Sequence, residues 1–188
     1  MDCMNLKGSK TEKNLYKTLL GESKARTLYT LFGEKARIDG YQWVGEVFEQ
    51  TSSNELAHAR KVYNSFLNLL GDTKENLNEA INGETNEYEA LYKNFEDVAR
   101  EEGFINIADF YKELREVEES HSNKFKDLYK RIDTDTMFKG NNDSIWICMN
   151  CGYIHEGSEA PLICPLCSYP RAYFKAECVV KEVKGGDK

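Results

Sequence analysis

No proline occurs among the first 160 residues of this 188-residue chain; the three prolines are Pro161, Pro165 and Pro170. Proline removes a backbone donor and costs a helix interior about 3 kcal/mol, so a proline-free stretch of this length is free to form long helices. Apolar residues recur there with a period near 3.5, and turn residues interrupt the pattern at Asp39-Gly40, Gly71-Asp72 and Gly103. The pattern predicts four helices, over residues 11–38, 42–70, 73–101 and 106–132, with Gly103 as a C-terminal cap and Asn106 as an N-cap. Short connections make consecutive helices antiparallel, so residues 1–132 are expected to form an all-α, up-down four-helix bundle. Residues 133–144 (DTDTMFKGNNDS) read as a polar linker. Residues 145–188 are too few to fold on an apolar core alone and need a staple, and the last of them, 184–188, read as a frayed end.

A chain that is 40% hydrophobic and 30% charged is not of disordered composition. Its 25 basic and 32 acidic residues give −7, with no basic block to neutralise phosphates, which argues against nucleic acid as a partner. No apolar run approaches the roughly 18 residues of a membrane span. The polar stretch from Met1 to Lys10 lacks the apolar core of a secretory leader, so a cytoplasmic location is expected.

The apolar stripes of the four helices are interrupted by acids. The third helix carries Leu77, Ile81, Leu91, Phe95 and Val98, with Glu84 and Tyr88 in the intervening slots. The fourth carries Ile107, Phe110, Leu114, Val117, Phe125 and Leu128, with His121 in the missing slot and Glu118 one turn before it. Glu22 stands between Leu15 and Tyr29 on the first helix; Glu55 stands between Phe48 and Val62 on the second, with His58 one turn on. A carboxylate in an apolar seam is expensive unless paired or bound to metal. No lysine occupies these seams, and Arg26 is the nearest cationic partner, so two metal ions are the expected counter-charge. The helix turns lie close to midway between successive polar positions, which brings those positions to nearly one level at about 1.5 Å rise per residue; the arms about Gly103 match least well. There is also an internal repeat: Glu22 precedes Glu55-Leu56-Ala57-His58 by 33 residues, and Glu84 precedes Glu118-Glu119-Ser120-His121 by 34. One lone glutamate and one Glu-x-x-His per helix pair is the ligand pattern of ferritin-like di-metal carboxylate bundles. Glu87, one turn after Glu84, is a further candidate ligand, with a solvent-facing glutamate as the alternative. Tyr29 and Tyr92 are candidates to hydrogen-bond ligand carboxylates, with aromatic packing as the alternative.

The staple of the tail is visible in Cys148-Met149-Asn150-Cys151 and Cys164-Pro165-Leu166-Cys167. Two Cys-x-x-Cys pairs offer four thiolates in a tetrahedron, a set that fits iron or zinc; spacing does not choose between them. Trp146, Tyr153, Tyr169, Tyr173 and Phe174 are its candidate mini-core. His155, Cys3 and Cys178 are given no functional role.

In order, Gly21-Glu22-Ser23, Ala25-Arg26, Glu55-x-x-His58, Glu84-x-x-Glu87, Glu118-x-x-His121 and Cys-x-x-Cys-Gly-Tyr…His-Glu-Gly…Cys-Pro-x-Cys resemble the rubrerythrin family from about residue 12 to 175. The resemblance implies a ferritin-like bundle followed by a rubredoxin-like β/knuckle domain, with two iron ions in a di-iron site and one more in an Fe(Cys)4 centre. It places Glu22, Glu55, Glu84, Glu118 and His121 on the di-iron ligands. Glu87 and His58 fall on a pair that exchange one iron with redox state, Tyr29 and Tyr92 on supporting tyrosines, and Cys148, Cys151, Cys164 and Cys167 on the rubredoxin ligands. It implies reduction of hydrogen peroxide to water, electrons from a partner reductase or rubredoxin drawing on NADH, protection against oxidative stress, and a head-to-tail homodimer. The alternative is a ferroxidase or iron-handling protein on the same helices. Ser168 departs from the pattern, standing where free-standing rubredoxins carry glycine.

Overall fold

The computed structural model describes residues 6–177; Cys3, Cys178 and residues 184–188 lie outside them. The chain packs as two compact units, divided between Asp72 and Thr73.

The first unit is a helical hairpin of α1 (Lys10–Ile38) and α2 (Gln42–Lys61). Ser9 caps the start of α1: its Oγ accepts from the Glu12 N–H at 3.0 Å, and the Glu12 carboxylate reaches back to accept from the Gly8 N–H at 2.6 Å. Lys35 and Arg37 in its last turn oppose the negative end of the helix dipole. Gly40, at φ +88°, then reverses the chain. The helices approach closely at Gly33 and Gly45, where a Cβ on Gly45 would lie 3.1 Å from the Gly33 carbonyl oxygen. A π turn, Val62–Phe66, continues α2. The chain leaves the helix at Asn68, at φ +51°, so the second helix ends short of the expected Leu70.

In the second unit, α3 (Thr73–Asn86), a second π turn (Glu87–Leu91) and α4 (Tyr92–Glu101) succeed one another where a single helix was expected. Gly103, at φ +85°, closes it as expected, and α5 (Ile105–Asp133) returns along it. Phe104, not Asn106, is the N-cap of α5 and makes no side-chain cap bond. Among the described residues four rods joined by short turns are thus observed, each within one residue of its expected start and four of its expected end.

Small residues make the buried contacts of both hairpins: Gly33, Gly45, Ser52 and Ala59 with Val62 in the first, Ala99, Ala108 and Ser122 in the second. The larger seam residues Phe95, Val98, Ile107, Phe110 and Val117 were expected in a core but stay exposed. Two helices in contact bury only the strip between them, which here is narrow because small side chains let the backbones close.

The tail is a three-stranded antiparallel sheet of β1 (Ile145–Cys148), β2 (Ile154–Glu156) and β3 (Phe174–Ala176), in the order β2-β1-β3. Trp146, Cys148, Ala160, Cys164 and Phe174 form its core. Trp146 is 1% exposed and satisfies its indole N–H on the Gly157 carbonyl at 2.9 Å. Burial of a side chain that size contributes about 3 kcal/mol, so this mini-core is real but small.

Candidate metal centres

Each hairpin brings its lone glutamate to its Glu-x-x-His. In the first, Glu22, Glu55 and His58 offer ligand atoms within 4.8 Å of one another; in the second, Glu84, Glu118 and His121 do so. The two clusters are close copies. His58 Nδ1 lies 3.0 Å from Glu55 Oε2 and 3.7 Å from Glu22 Oε2, and His121 Nδ1 lies 2.8 Å from Glu118 Oε2 and 3.6 Å from Glu84 Oε2. The second hairpin converges although its arms differ, 19 residues from Glu84 to Gly103 and 15 from there to Glu118. The π turn takes up one residue of that difference, which a count at 1.5 Å per residue could not register.

The electrostatics of both clusters call for a cation. Glu22 sits above its ordinary range through a hydrogen bond shared with Glu55, then burial and the Glu55 charge; Glu55 is pushed below it by the same bond and by His58. Burial foremost pushes Glu84 up, followed by its bond to and the like charge of Glu118. Glu84 Oε2 is buried with no hydrogen-bond partner. Each cluster thus crowds two carboxylates against one imidazole, and in the second one carboxylate oxygen has nothing to accept from. A divalent ion fits both conditions, and the donor set of two carboxylates and one imidazole suits iron.

Glu87 lies outside these triads but beside the second. Its charge reaches Glu84, and burial and then Glu87 hold the Tyr92 hydroxyl above the ordinary phenol range. Tyr92 also stacks on Tyr111, with centroids 6.0 Å apart. Tyr29 packs among Phe32 and Phe48, with ring centroids at 6.4 and 6.0 Å. Arg26 enters through its backbone: its carbonyl accepts from Ser52 Oγ at 2.9 Å and Thr30 Oγ1 at 3.1 Å.

The sequence reading missed these hydroxyl contacts, the Thr85–Ser122 pair at 2.9 Å, and Arg115, which bonds the Tyr88 carbonyl at 2.9 Å and Glu96 at 2.9 Å. Ser52 and Arg115 each stand three residues before the glutamate of a Glu-x-x-His, so extending the repeat by three positions would have found them.

In the tail, Cys148, Cys151, Cys164 and Cys167 hold their sulfurs within 4.8 Å of one another. The Cys148–Cys167 and Cys151–Cys164 separations are both 3.7 Å. A tetrahedron with metal–sulfur bonds of about 2.3 Å has edges of about 3.8 Å, so the thiols already span one. The two knuckles repeat one another. The Cys148 N–H donates to Tyr153 O at 2.9 Å and Gly152 N–H to Cys148 O at 2.8 Å; Cys164 N–H donates to Tyr169 O at 2.8 Å and Ser168 N–H to Cys164 O at 2.9 Å. Gly152 and Ser168 hold the same left-handed position, at φ +76° and +61°. A bond from the Tyr153 backbone draws Cys151 down, but burial and the other three thiols outweigh it and push it up to about 12. The Asn150 side chain, ahead of the Tyr169 backbone and two thiols, draws Cys167 down to about 6 against burial. Thiols that share protons this closely release them to a metal. His155 pairs with Trp146 across the sheet, consistent with a structural place.

Fold and sites together define a class: a helical protein with two carboxylate–histidine metal clusters and a separate four-thiolate domain. A family model described as Rubrerythrin matches residues 13–129, and one described as Rubrerythrin, rubredoxin-like domain, matches residues 146–175. The chain is 40% identical to a rubrerythrin of Clostridium perfringens over 91% of this chain and 96% of that one. It is 36% identical to a rubrerythrin of Nitratidesulfovibrio vulgaris, again over 91% and 96%. A solved structure of nigerythrin in a partially reduced state aligns over 94% of this chain and 90% of its own, at 29% identity and a TM-score of 0.35. The chain belongs to the rubrerythrin family. It is an iron-protein oxidoreductase whose cofactors are those of a di-iron site and a single iron at four cysteines.

Proposed function

We propose that this protein is a peroxidase that reduces hydrogen peroxide with two electrons and two protons to two molecules of water. What supports the reading above all is the coexistence in one chain of two matched glutamate–histidine clusters and a four-thiolate site. The first pair suits a two-electron acceptor reaction, the second a one-electron relay, and iron storage would need no such relay.

In this reading Glu22, Glu55 and His58 hold one iron, and Glu84, Glu118 and His121 the other. Bound there as a ferrous pair, iron would supply two electrons and positive charge for the cleavage of the peroxide. The chain supplies the rest. Glu55 and Glu118, each bonded to the histidine of its own motif, orient those imidazoles. Glu87 would serve as a carboxylate ligand when the site is oxidised and His58 as an imidazole ligand when it is reduced, and Tyr92, whose hydroxyl burial and Glu87 keep protonated, would hold a proton ready for the carboxylate that hands it to a leaving oxygen. The thiolates of Cys148, Cys151, Cys164 and Cys167 would hold a single iron, whose one-electron chemistry would carry electrons from a reductase or rubredoxin that draws on NADH.

The expected division into residues 1–132, 133–144 and 145–188 would give the peroxide chemistry to the first part and the electron relay to the last. The exposed apolar residues of each hairpin support association with a second copy, head to tail, so that one tail serves the other's helices. Among the described residues no helix is long and apolar enough to cross a membrane, and a role in oxidative-stress defence in the cytoplasm fits the chemistry.

The test is spectroscopic. The full-length iron protein, reduced without oxygen, loses the red thiolate-to-iron colour. Stoichiometric peroxide is expected to restore it while peroxide disappears. A reduced spectrum indifferent to peroxide would overturn the proposal.

A further inference from the structure

The internal repeat reaches beyond the ligands. Aligning Glu22 with Glu84 and Glu55 with Glu118 makes Ser52 equivalent to Arg115, each three residues before its glutamate, and Arg26 equivalent to Tyr88, each four residues after the lone one. The equivalent pairs make the same bond. Ser52 Oγ donates to the Arg26 carbonyl at 2.9 Å, and Arg115 Nε donates to the Tyr88 carbonyl at 2.9 Å. In both hairpins the helix bearing Glu-x-x-His therefore pins the backbone one turn beyond the lone glutamate.

The two clamps differ in what they hold. In the first hairpin α1 runs through Arg26 without interruption, and a short, buried serine suffices. In the second the Tyr88 carbonyl belongs to the π turn that begins at Glu87, where the Tyr92 N–H reaches back five residues to Glu87 O. A π turn is one residue inserted into a helix, and its loss would rotate the preceding helix by about 100° against the succeeding one. It allows Glu84 and Glu87 on one side of the insertion, and Tyr92 and Glu96 on the other, to turn toward α5 together. Arg115 contacts both sides. Nε holds the turn at Tyr88, and Nη1 holds Glu96 in α4 at 2.9 Å; Arg100, itself 3.4 Å from Asp109, steadies Glu96 from 3.3 Å. A planar guanidinium fixes two such acceptors in one geometry, which the single ammonium of lysine does not.

We propose that Arg115 is a positioning residue for Glu87: its bridge from the Tyr88 carbonyl to Glu96 holds the π turn and so sets where the Glu87 carboxylate stands beside Glu84. This rests on the proposed peroxidase function, in which Glu87 serves the metal pair.

The test uses the full-length protein with zinc in the four-cysteine site, and compares R115M, R115K, E87A, the double variant R115M/E87A and the first-hairpin control S52A. Amide hydrogen exchange across Glu87–Tyr92 is expected to quicken at least tenfold in R115M, less in R115K and not in S52A. Ferric iron in the helical sites, the oxidised state in which Glu87 is the proposed ligand, reports its ligand set through its charge-transfer bands, with colourless zinc at the cysteines leaving them in view. R115M is expected to shift those bands as E87A does, and the double variant to shift them no further. Unchanged exchange in R115M, or band shifts that add in the double variant, would overturn the proposal. Should the unsubstituted protein take up no iron in its helices, the metal reading falls and takes this one with it; that stoichiometry separates the two failures.

Discussion

Replacing Glu84 by glutamine is expected to stabilise the metal-free protein and weaken its response to metal. Glu84 is pushed up by burial and by Glu118, and its Oε2 is buried without a partner. The sign comes from proton linkage. A carboxyl raised in the folded state binds protons more tightly there than in the unfolded chain, so stability falls as pH climbs from the ordinary glutamate range through the raised value. At pH 7 the whole penalty is present. An unsatisfied buried polar group costs about 1–3 kcal/mol, and partial exposure of the side chain points to the lower end. Glutamine keeps the shape and removes the charge, so E84Q in chelator-treated protein is expected to gain about 1 kcal/mol at pH 7, a rise in Tm of about 2–4 °C for a chain this size, and to gain nothing near pH 4. With iron or cobalt at a hundredfold excess over the dissociation constant, the unsubstituted protein gains about 2.7 kcal/mol per site, and E84Q is expected to lose most of that at one site. Thermal unfolding at both pH values, with and without metal, measures all four quantities. A lower metal-free Tm for E84Q, or an undiminished metal-induced rise, would refute the argument that this carboxylate awaits a cation.

Ser168 holds a left-handed φ of +61° where the matching knuckle uses Gly152; S168G relieves a cost of about 1 kcal/mol and is expected to raise the unfolding temperature of the tail with its metal content unchanged. In the first hairpin, a Cβ on Gly45 would meet Arg37 Cγ at 2.7 Å and the Gly33 carbonyl at 3.1 Å. The arginine stem can swing away but the carbonyl cannot, so G45A is expected to cost about 1–3 kcal/mol in denaturant unfolding. With Cys167 near 6, metal binding to the tail displaces one further proton below that pH, so the slope of log affinity against pH, measured by competition with a chelator, is expected to steepen by one as pH falls through about 6.

Much of this was legible in the residues. The proline-free stretch and its turn signals located the helices because helix breaking is a local property of each residue. Glu-x-x-His and Cys-x-x-Cys were readable for the same reason: three residues of helix, or one knuckle, place both donors before any tertiary contact forms. Other features depended on neighbours far along the chain. Nothing local marks Glu87 as the start of a π turn, since that turn is held by Arg115 from another helix, 27 residues on from Tyr88. Phe95 and Phe110 read as core because periodicity shows which face is apolar but not what covers it.

The sequence by itself therefore determined the helices, the two glutamate–histidine motifs and the four thiols, because short-range geometry and side-chain chemistry suffice for each. Only the tertiary structure decided that each lone glutamate meets its own motif, that Glu84 keeps an oxygen without a partner, and that Ser52 and Arg115 clamp equivalent carbonyls. Those facts depend on distances between separate helices, which close approach at small residues and one inserted residue set, and neither quantity is a property of any segment alone.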